Sequence, residues 1–181
     1  MNIRDTINLI EAKSAVKLEL VKLPYSKSSL SPVLSQRSLD NHYEKLAQGY
    51  VDRYNKGEGD AVFNEAGAYL HNIYFSQFRS PRTNNKPTGP IGLLINKKFG
   101  DFESFKEKFT KEAMGTQGSA WVYLTRSGEI KVIKNHAKRS DICLLVDWWE
   151  HAWFDDYGTD KSKYLKNLWR IIDWDKINTR L

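Results

Sequence analysis

The chain has 181 residues, of which 40% are hydrophobic and 13% aromatic, enough for one packed domain or two small lobes that share a core. No apolar run approaches the roughly 18 residues of a membrane span, and the N-terminus lacks a signal-peptide pattern. We therefore expect a cytoplasmic protein with no membrane partner. The net charge is +6. Because the basic residues are scattered among acids, we expect a solvated surface and no nucleic-acid partner.

The first half of the chain predicts a helical hairpin. Residues 1–19 are predicted to be an N-terminal appendage, with a short helix over Asp5 to Ala12. Apolar residues then recur at spacings of three and four between Ser35 and Asn55, and again between Phe63 and Phe78. This spacing is typical of amphipathic helices. The two helices predict a hairpin domain over 20–85, which ends in a linker rich in Pro, Asn and Thr.

The second half, residues 86–181, predicts an α/β domain. Four helices and three strands are expected there, at Pro90 to Phe99, Asp101 to Ala113, Ser119 to Thr125, Glu129 to Lys134, Ile142 to Asp147, Ser162 to Ile172 and Asp173 to Arg180. The third strand is continuously apolar, which favours the centre of the sheet. The whole chain therefore predicts an α+β fold, with a long N-terminal helical hairpin followed by a small three-stranded antiparallel sheet covered by helices.

Four side chains suggest a metal site. His42 and His71 lie on the inner faces of the two predicted hairpin helices, and Asp147 and His151 follow the third strand within a run of aromatic residues. A single histidine on an apolar stripe is usually a hydrogen-bonded core residue, but burying all four groups unpaired would be costly. Three imidazoles and one carboxylate suit iron or manganese that cycles between the +2 and +3 states, whereas zinc would bind without cycling.

Polar and aromatic side chains are expected around that site. Tyr50 lies two turns beyond His42 and offers a hydroxyl, and Trp121, Trp149 and Tyr74 are candidate walls. Aromatic residues of this kind are also common in ordinary protein cores, so their presence alone does not decide between the two roles.

These residues resemble the iron/manganese superoxide dismutase family, and the match runs from Leu20 to about Arg180. The most specific motif is the run from Asp147 to Ala152, which resembles the family's DxWEHA signature. The other matching motifs are Leu23-Pro24-Tyr25, Asn41-His42-Tyr43-Glu44-Lys45, Leu70-His71-Asn72 and, in the closing helices, Tyr164-Leu165, Trp169 and Asp173-Trp174.

The resemblance implies an enzyme that converts two superoxide anions to dioxygen and hydrogen peroxide. It implies one iron or manganese per chain, held by His42, His71, Asp147 and His151. Tyr50 is implied to gate the substrate funnel and, with His136, to relay protons. It further implies that Glu150 bridges to His151 of a partner subunit, which indicates a homodimer or a tetramer.

Two tuning positions and three departures from the family pattern affect these expectations. Gly67 and His136 stand at the two positions that supply a hydrogen-bond partner for solvent on the metal. Because Gly67 has no side chain, we expect His136 to take this role, which resembles iron-type members and favours iron. Leu46 and Phe154 replace a funnel histidine and its tyrosine partner across the dimer. Lys161 replaces a funnel arginine and keeps its positive charge but not its planar fork.

Two other functions stay open on the sequence alone. A catalytically inactive member of the same fold could serve as a structural or binding protein in a larger assembly, as the basic charge, the appendage and the altered funnel suggest. A redox-silent zinc site is the third alternative. The retention of all four candidate ligands, with Tyr50, Trp121 and His136, favours the enzyme.

Overall fold

The computed structural model describes residues 17–181. The predicted helix over Asp5 to Ala12 therefore lies outside the described residues. After a 3₁₀ turn at Lys27–Leu30, the first long helix, α1, is continuous through three segments. These are Gln36–Leu39, the π-helical segment Asp40–Ala47, and Gln48–Lys56.

The first two helices form the predicted hairpin. Helix α2 spans Ala61–Phe75 and packs along α1. Gly57, at φ 69°, ends α1 in the left-handed conformation that favours glycine. The Asp60 side chain then accepts a hydrogen bond from the Phe63 amide and caps α2. The short loop between these caps reverses the chain, and the buried stripes of the two helices face each other.

The rest of the chain forms the predicted α/β part, and the α+β fold class is confirmed. Asp101 caps its second helix as expected, by accepting from the Ser104 amide. The elements in chain order are α3 (Gly89–Phe99), α4 (Phe102–Gly115), β1 (Ala120–Thr125), β2 (Ile130–Lys134), β3 (Ile142–Asp147), a 3₁₀ turn (Glu150–Ala152), α5 (Phe154–Tyr157), α6 (Lys161–Leu168) and α7 (Trp174–Asn178).

The expected central position of the third strand is wrong. The sheet order is β2-β1-β3, so β1 is central and β3 is an edge strand. Strand β3 is nevertheless fully buried, because α2 and α7 pack against it. Its outer edge is closed by Gln77, whose amide nitrogen donates to the Leu145 carbonyl and whose Oε1 accepts from the Leu145 amide at 3.2 Å. A side chain thus replaces the missing neighbouring strand.

The closing helices are shorter than predicted. Helix α6 ends at Leu168, and Ile172 instead pairs with Phe78 in an isolated antiparallel bridge. The Asp173 amide continues this contact by donating to the Gln77 carbonyl at 2.8 Å. Residues 169–171 form a turn after α6, and the bridge at Ile172 with the Asp173 bond ties the two halves of the molecule together.

The boundaries at 19/20 and 85/86 stay a proposal. The Leu18 amide and carbonyl both hydrogen-bond to the Asn55 side chain, and the Glu19 carbonyl accepts from Asn72. These two residues, assigned to the appendage, thus pack with the hairpin. No helix within residues 17–181 is both long enough and apolar enough to cross a bilayer.

Candidate metal centre

The structure brings the four candidate ligands together at the junction of the hairpin and the sheet. One nitrogen or oxygen from each of His42, His71, Asp147 and His151 lies within 4.8 Å of the other three. The side chains of the first three are almost completely buried, whereas that of His151 is 19% exposed. Two long helices, the end of a strand and the 3₁₀ turn after it each supply one side chain, so the cluster depends on the complete fold.

Local backbone structure places two of these residues. His42 lies within the π-helical segment of α1, and its Nε2 atom is 3.1 Å from Asp147 Oδ2. A π-helical turn inserts an extra residue, shifts the side chains relative to a regular helix, and is frequent at functional sites. At the end of β3, Asp147 Oδ1 accepts a hydrogen bond from the Trp149 amide at 2.8 Å. This bond leaves Oδ2 directed toward the histidines.

The tautomer of His71 also suits metal binding. His71 Nδ1 lies 2.7 Å from the Gly67 carbonyl oxygen, which can only accept, so Nδ1 carries the proton and Nε2 has a free lone pair. Asp147 Oδ2 lies 3.7 Å from His71 Nε2 and 3.3 Å from His151 Nε2. Three imidazole nitrogens and one carboxylate oxygen therefore point into the same small volume.

The donor set fits iron or manganese. The buried Nε2 atom of His71 has no hydrogen-bond partner, and that of His42 has none apart from its 3.1 Å approach to Asp147 Oδ2, which is costly for polar atoms that bind nothing. Burial lowers the pKa of both histidines, so the neutral, metal-binding form is favoured. Burial opposes ionisation of Asp147, but His151 and His42 hold its pKa well below the usual range. Neutral nitrogens with one anionic oxygen are suitable ligands for a redox-active iron or manganese ion.

His136 lies between Trp121 and Tyr50 at one side of the cluster. Asn135, at φ 52°, turns the chain after β2 and precedes this buried histidine. Trp121 Nε1 donates to His136 Nδ1 at 3.1 Å, and His136 Nε2 is 2.9 Å from the Tyr50 hydroxyl. Because an indole N–H only donates, Nδ1 must accept, and the neutral ring carries its proton on Nε2. His136 therefore donates to the Tyr50 oxygen and leaves the Tyr50 proton free for another acceptor.

Aromatic rings lie around the cluster, among them those of Trp121, Trp149 and Tyr74. The Trp121 ring centroid is 5.0 Å from that of His71, and the Tyr74 centroid is 5.5 Å from that of His42. Trp149 stacks on His136, with centroids 4.6 Å apart. These rings exclude water from most of the site and restrict the orientations of the imidazoles.

Comparison with known proteins identifies the family. The family model for the alpha-hairpin domain of iron/manganese superoxide dismutases matches residues 17–60, and the model for the C-terminal domain of the same enzymes matches residues 87–180. The chain belongs to the iron/manganese superoxide dismutases. The resemblance inferred from the sequence motifs is thus confirmed.

Relatives in this family match along almost the entire chain. A Bacteroides fragilis protein named superoxide dismutase (Fe) is 36% identical over 190 residues, which cover 90% of this chain and 98% of the relative. A Porphyromonas gingivalis protein named superoxide dismutase (Mn/Fe) is also 36% identical, with the same two coverages. A Pyrobaculum aerophilum protein named superoxide dismutase (Fe) is 32% identical, and the match covers 90% of this chain and 90% of the relative.

Sequence reasoning missed the role of Tyr164 within this dismutase fold. Its hydroxyl donates to the Asp147 backbone carbonyl at 3.2 Å and lies 2.9 Å from the Tyr74 hydroxyl. Both tyrosines are completely buried. Since the Tyr164 proton is used on the carbonyl, Tyr74 is the donor between the two rings. Tyr164 was visible in the sequence only as an aromatic residue in a closing helix, and no local signal indicates a bond to Asp147.

Gly67 and Lys161 lie near the site in different ways. A Cβ atom added at Gly67 would lie 2.9 Å from the ring of Tyr50, so glycine permits the close approach of that ring. Lys161 Nζ lies 5.4 Å from the centre of the Trp148 ring. Together with Glu150, Lys161 lines an open cavity of about 410 Å³. The two residues thus share one surface depression.

The residues at the altered family positions are exposed in the single chain. Leu46 is 39% exposed and Phe154 is 53% exposed, which is unusual for large apolar side chains of a monomer core. Glu150 is exposed as well and forms no ion pair among residues 17–181. The structure therefore leaves both apolar residues and the predicted bridging carboxylate accessible to another chain.

Proposed function

We propose that the chain is a superoxide dismutase that converts two superoxide anions into dioxygen and hydrogen peroxide. One iron or manganese ion per chain would be held by His42, His71, Asp147 and His151. The observation that carries this proposal is that one ligand atom from each of the four side chains lies within 4.8 Å of the other three. Two of these atoms are buried Nε2 nitrogens that a metal ion would satisfy. A bound iron or manganese ion supplies the alternating one-electron oxidation and reduction that dismutation requires.

The polar residues beside the cluster would handle protons and substrate. Burial raises the pKa of Tyr50, so its hydroxyl stays protonated near neutral pH and can donate a proton. His136 accepts from Trp121 and donates to Tyr50, which holds the tyrosine oxygen in place while the tyrosine proton remains available. Lys161 and the net charge of +6 attract the superoxide anion.

Iron is the proposed preferred metal, and manganese the alternative. The support is the pair of residues at the tuning positions: Gly67 offers no side chain, and His136 lies in hydrogen-bond contact with Tyr50. Groups that hydrogen-bond around a metal site adjust its reduction potential and hence its metal preference. Two of the relatives described above carry iron in their names and one carries both metals.

The experiment is to remove all metal, reconstitute separate samples with iron and manganese, and measure metal content and dismutation of each. His71→Ala serves as the blank because it removes one ligand while retaining His136. We expect higher activity per bound ion with iron than with manganese. Activity with manganese alone would overturn the assigned role of His136. If both loaded forms match the blank, the proposed enzyme is wrong and the non-catalytic alternative replaces it.

A homodimer, or a tetramer built from it, is the proposed assembly of this cytoplasmic enzyme. Its support is the exposure of Leu46, Phe154 and Glu150 in the single chain. An apolar Leu–Phe pair across an interface would replace a polar contact without leaving an unpaired buried group. Sedimentation of Phe154→Ser against wild type tests the interface. We expect a weaker dimer, and an unchanged self-association constant would contradict this arrangement.

A further inference from the structure

Two adjoining cavities flank the segment Asn84-Asn85-Lys86, and none of their lining residues is one of the four proposed ligands. The first, of about 230 Å³, lies toward α7, and the second, of about 140 Å³, lies toward α4 and α6. Both cavities share the three residues of the segment as a common wall. We call the pair of cavities with this wall the basic groove.

Positive charge dominates the basic groove. Six basic residues line it, against the two acids Glu103 and Asp175. The basic residues are Arg79, Arg82, Lys86, Lys106, Lys166 and Arg170. Within the described residues 17–181, only Arg79 and Lys106 of these six form ion pairs. The remaining four cations therefore face solvent and the two cavities without a neutralising partner.

Arg79 lines the first cavity and has one hydrogen-bond donor without a partner. Its Nη1 atom lies 3.6 Å from Asp173 and 3.8 Å from Asp175. Its Nη2 atom is fully buried and has no hydrogen-bond partner. A guanidinium group presents its N–H donors in a planar fork that matches the oxygens of a phosphate or carboxylate. Because Nη2 has no solvent-accessible surface, an oxygen-rich anion in the cavity would take this donor only after the Arg79 side chain turns toward it.

The backbone around the basic groove is held in place by several long-range hydrogen bonds. Asn85 Nδ2 donates to the carbonyls of Trp169 at 2.9 Å and Ile172 at 2.7 Å. The Arg82 amide donates to the Arg170 carbonyl at 2.9 Å. Because this linker is fixed to the C-terminal segment, the cations reach the cavities from a preorganised backbone, which lowers the entropic cost of binding.

We propose that the basic groove binds a chain of phosphate groups that spans both cavities, as inorganic polyphosphate does. One phosphate would contact Arg79, Arg82 and Lys86 in the first cavity, and a linked phosphate would contact Lys166 and Arg170 in the second. Two cavities with one shared wall favour linked anions over a single one, because the second contact then becomes intramolecular. This site goes beyond the dismutase reaction and does not depend on it.

The probe is tripolyphosphate, titrated into the metal-loaded protein by calorimetry at constant ionic strength, with orthophosphate as the single-anion comparison. We expect saturable binding of tripolyphosphate, tighter than that of orthophosphate by about tenfold or more. Equal affinity for the two anions would refute the claim that the ligand spans both cavities. Heat changes that depend on ionic strength alone would show a solvated basic surface and overturn the site.

Variants of equal charge separate a built site from general attraction. Arg82→Gln/Lys86→Gln removes two exposed cations of the groove, and Lys56→Gln/Lys97→Gln removes two exposed lysines elsewhere. We expect the first pair to weaken tripolyphosphate binding by about tenfold and the control pair to change it less than about twofold. Equal losses in both pairs would contradict the proposal.

Arg79→Lys tests the guanidinium fork while the charge is kept. We expect this variant to bind tripolyphosphate several-fold more weakly than wild type. Its circular dichroism and dismutation rate should match those of wild type, because Arg79 lies outside the metal centre. Unchanged affinity in a correctly folded Arg79→Lys protein would show that the unpartnered Nη2 donor plays no part in binding.

Discussion

Replacing Tyr164 by Phe tests the hydrogen-bond chain that holds the end of β3. The Tyr164 hydroxyl donates to the Asp147 carbonyl and accepts from Tyr74 in a completely buried environment. Tyr164→Phe therefore leaves both a carbonyl and a hydroxyl without partners. At about 1–3 kcal/mol for each orphaned buried group, we expect a loss of about 2–6 kcal/mol in the free energy of unfolding.

The companion variants sharpen this prediction. Tyr74→Phe removes a donor but leaves the Tyr164–Asp147 bond intact, so its expected cost is only about 0.5–1.5 kcal/mol. The double variant orphans the Asp147 carbonyl alone. It should therefore be more stable than Tyr164→Phe, although it carries one more substitution. Guanidinium unfolding of the metal-loaded proteins, followed by tryptophan fluorescence, measures all three. A double variant that loses the sum of both single costs would refute the reasoning.

Three further predictions concern the residues around Tyr50 and His136. Trp121→Phe should lower unfolding stability by about 1–3 kcal/mol more than Trp148→Phe, because only Trp121 donates from its indole to a buried acceptor; equal losses in denaturation would contradict the bond. Gly67→Ala should cost about 1–3 kcal/mol and slow turnover, because the added Cβ displaces the Tyr50 ring; a fully active variant of wild-type melting temperature would disprove this. Burial lowers the pKa of His136 to about 4. Between pH 6.5 and 4 the unfolded chain therefore binds more protons than the folded chain does, and the free energy of unfolding falls as the pH drops through that range. His136→Gln should lose stability less steeply over the same range; parallel curves would show that His136 does not contribute.

Much of the fold was predictable because local patterns and tertiary packing agree. The stripes on α1 and α2 and the capping carboxylate of Asp101 act within one or two helical turns, so they are visible in the sequence. The edge position of β3 was not predictable from the sequence. An apolar strand is buried on both faces in either position, and what closes its edge here is Gln77, a residue distant in sequence.

The site shows the same division between local and long-range information. The spacing of Asp147 and His151, and the stripe positions of His42 and His71, are visible along the chain, and the fold brings all four together. The protonated nitrogen of His136 was not predictable, because it depends on a contact with Trp121 that β1 and the turn after β2 create together. Roles of this kind require the tertiary structure.

The most direct test of the central claim is the dismutation rate of the iron-loaded protein, measured together with its iron content and compared with His71→Ala treated in the same way. We predict about one iron per chain and rapid dismutation in wild type, because four converging ligands hold the ion. In His71→Ala we predict loss of both iron and activity. A wild-type protein that retains iron but removes superoxide no faster than His71→Ala would contradict the account.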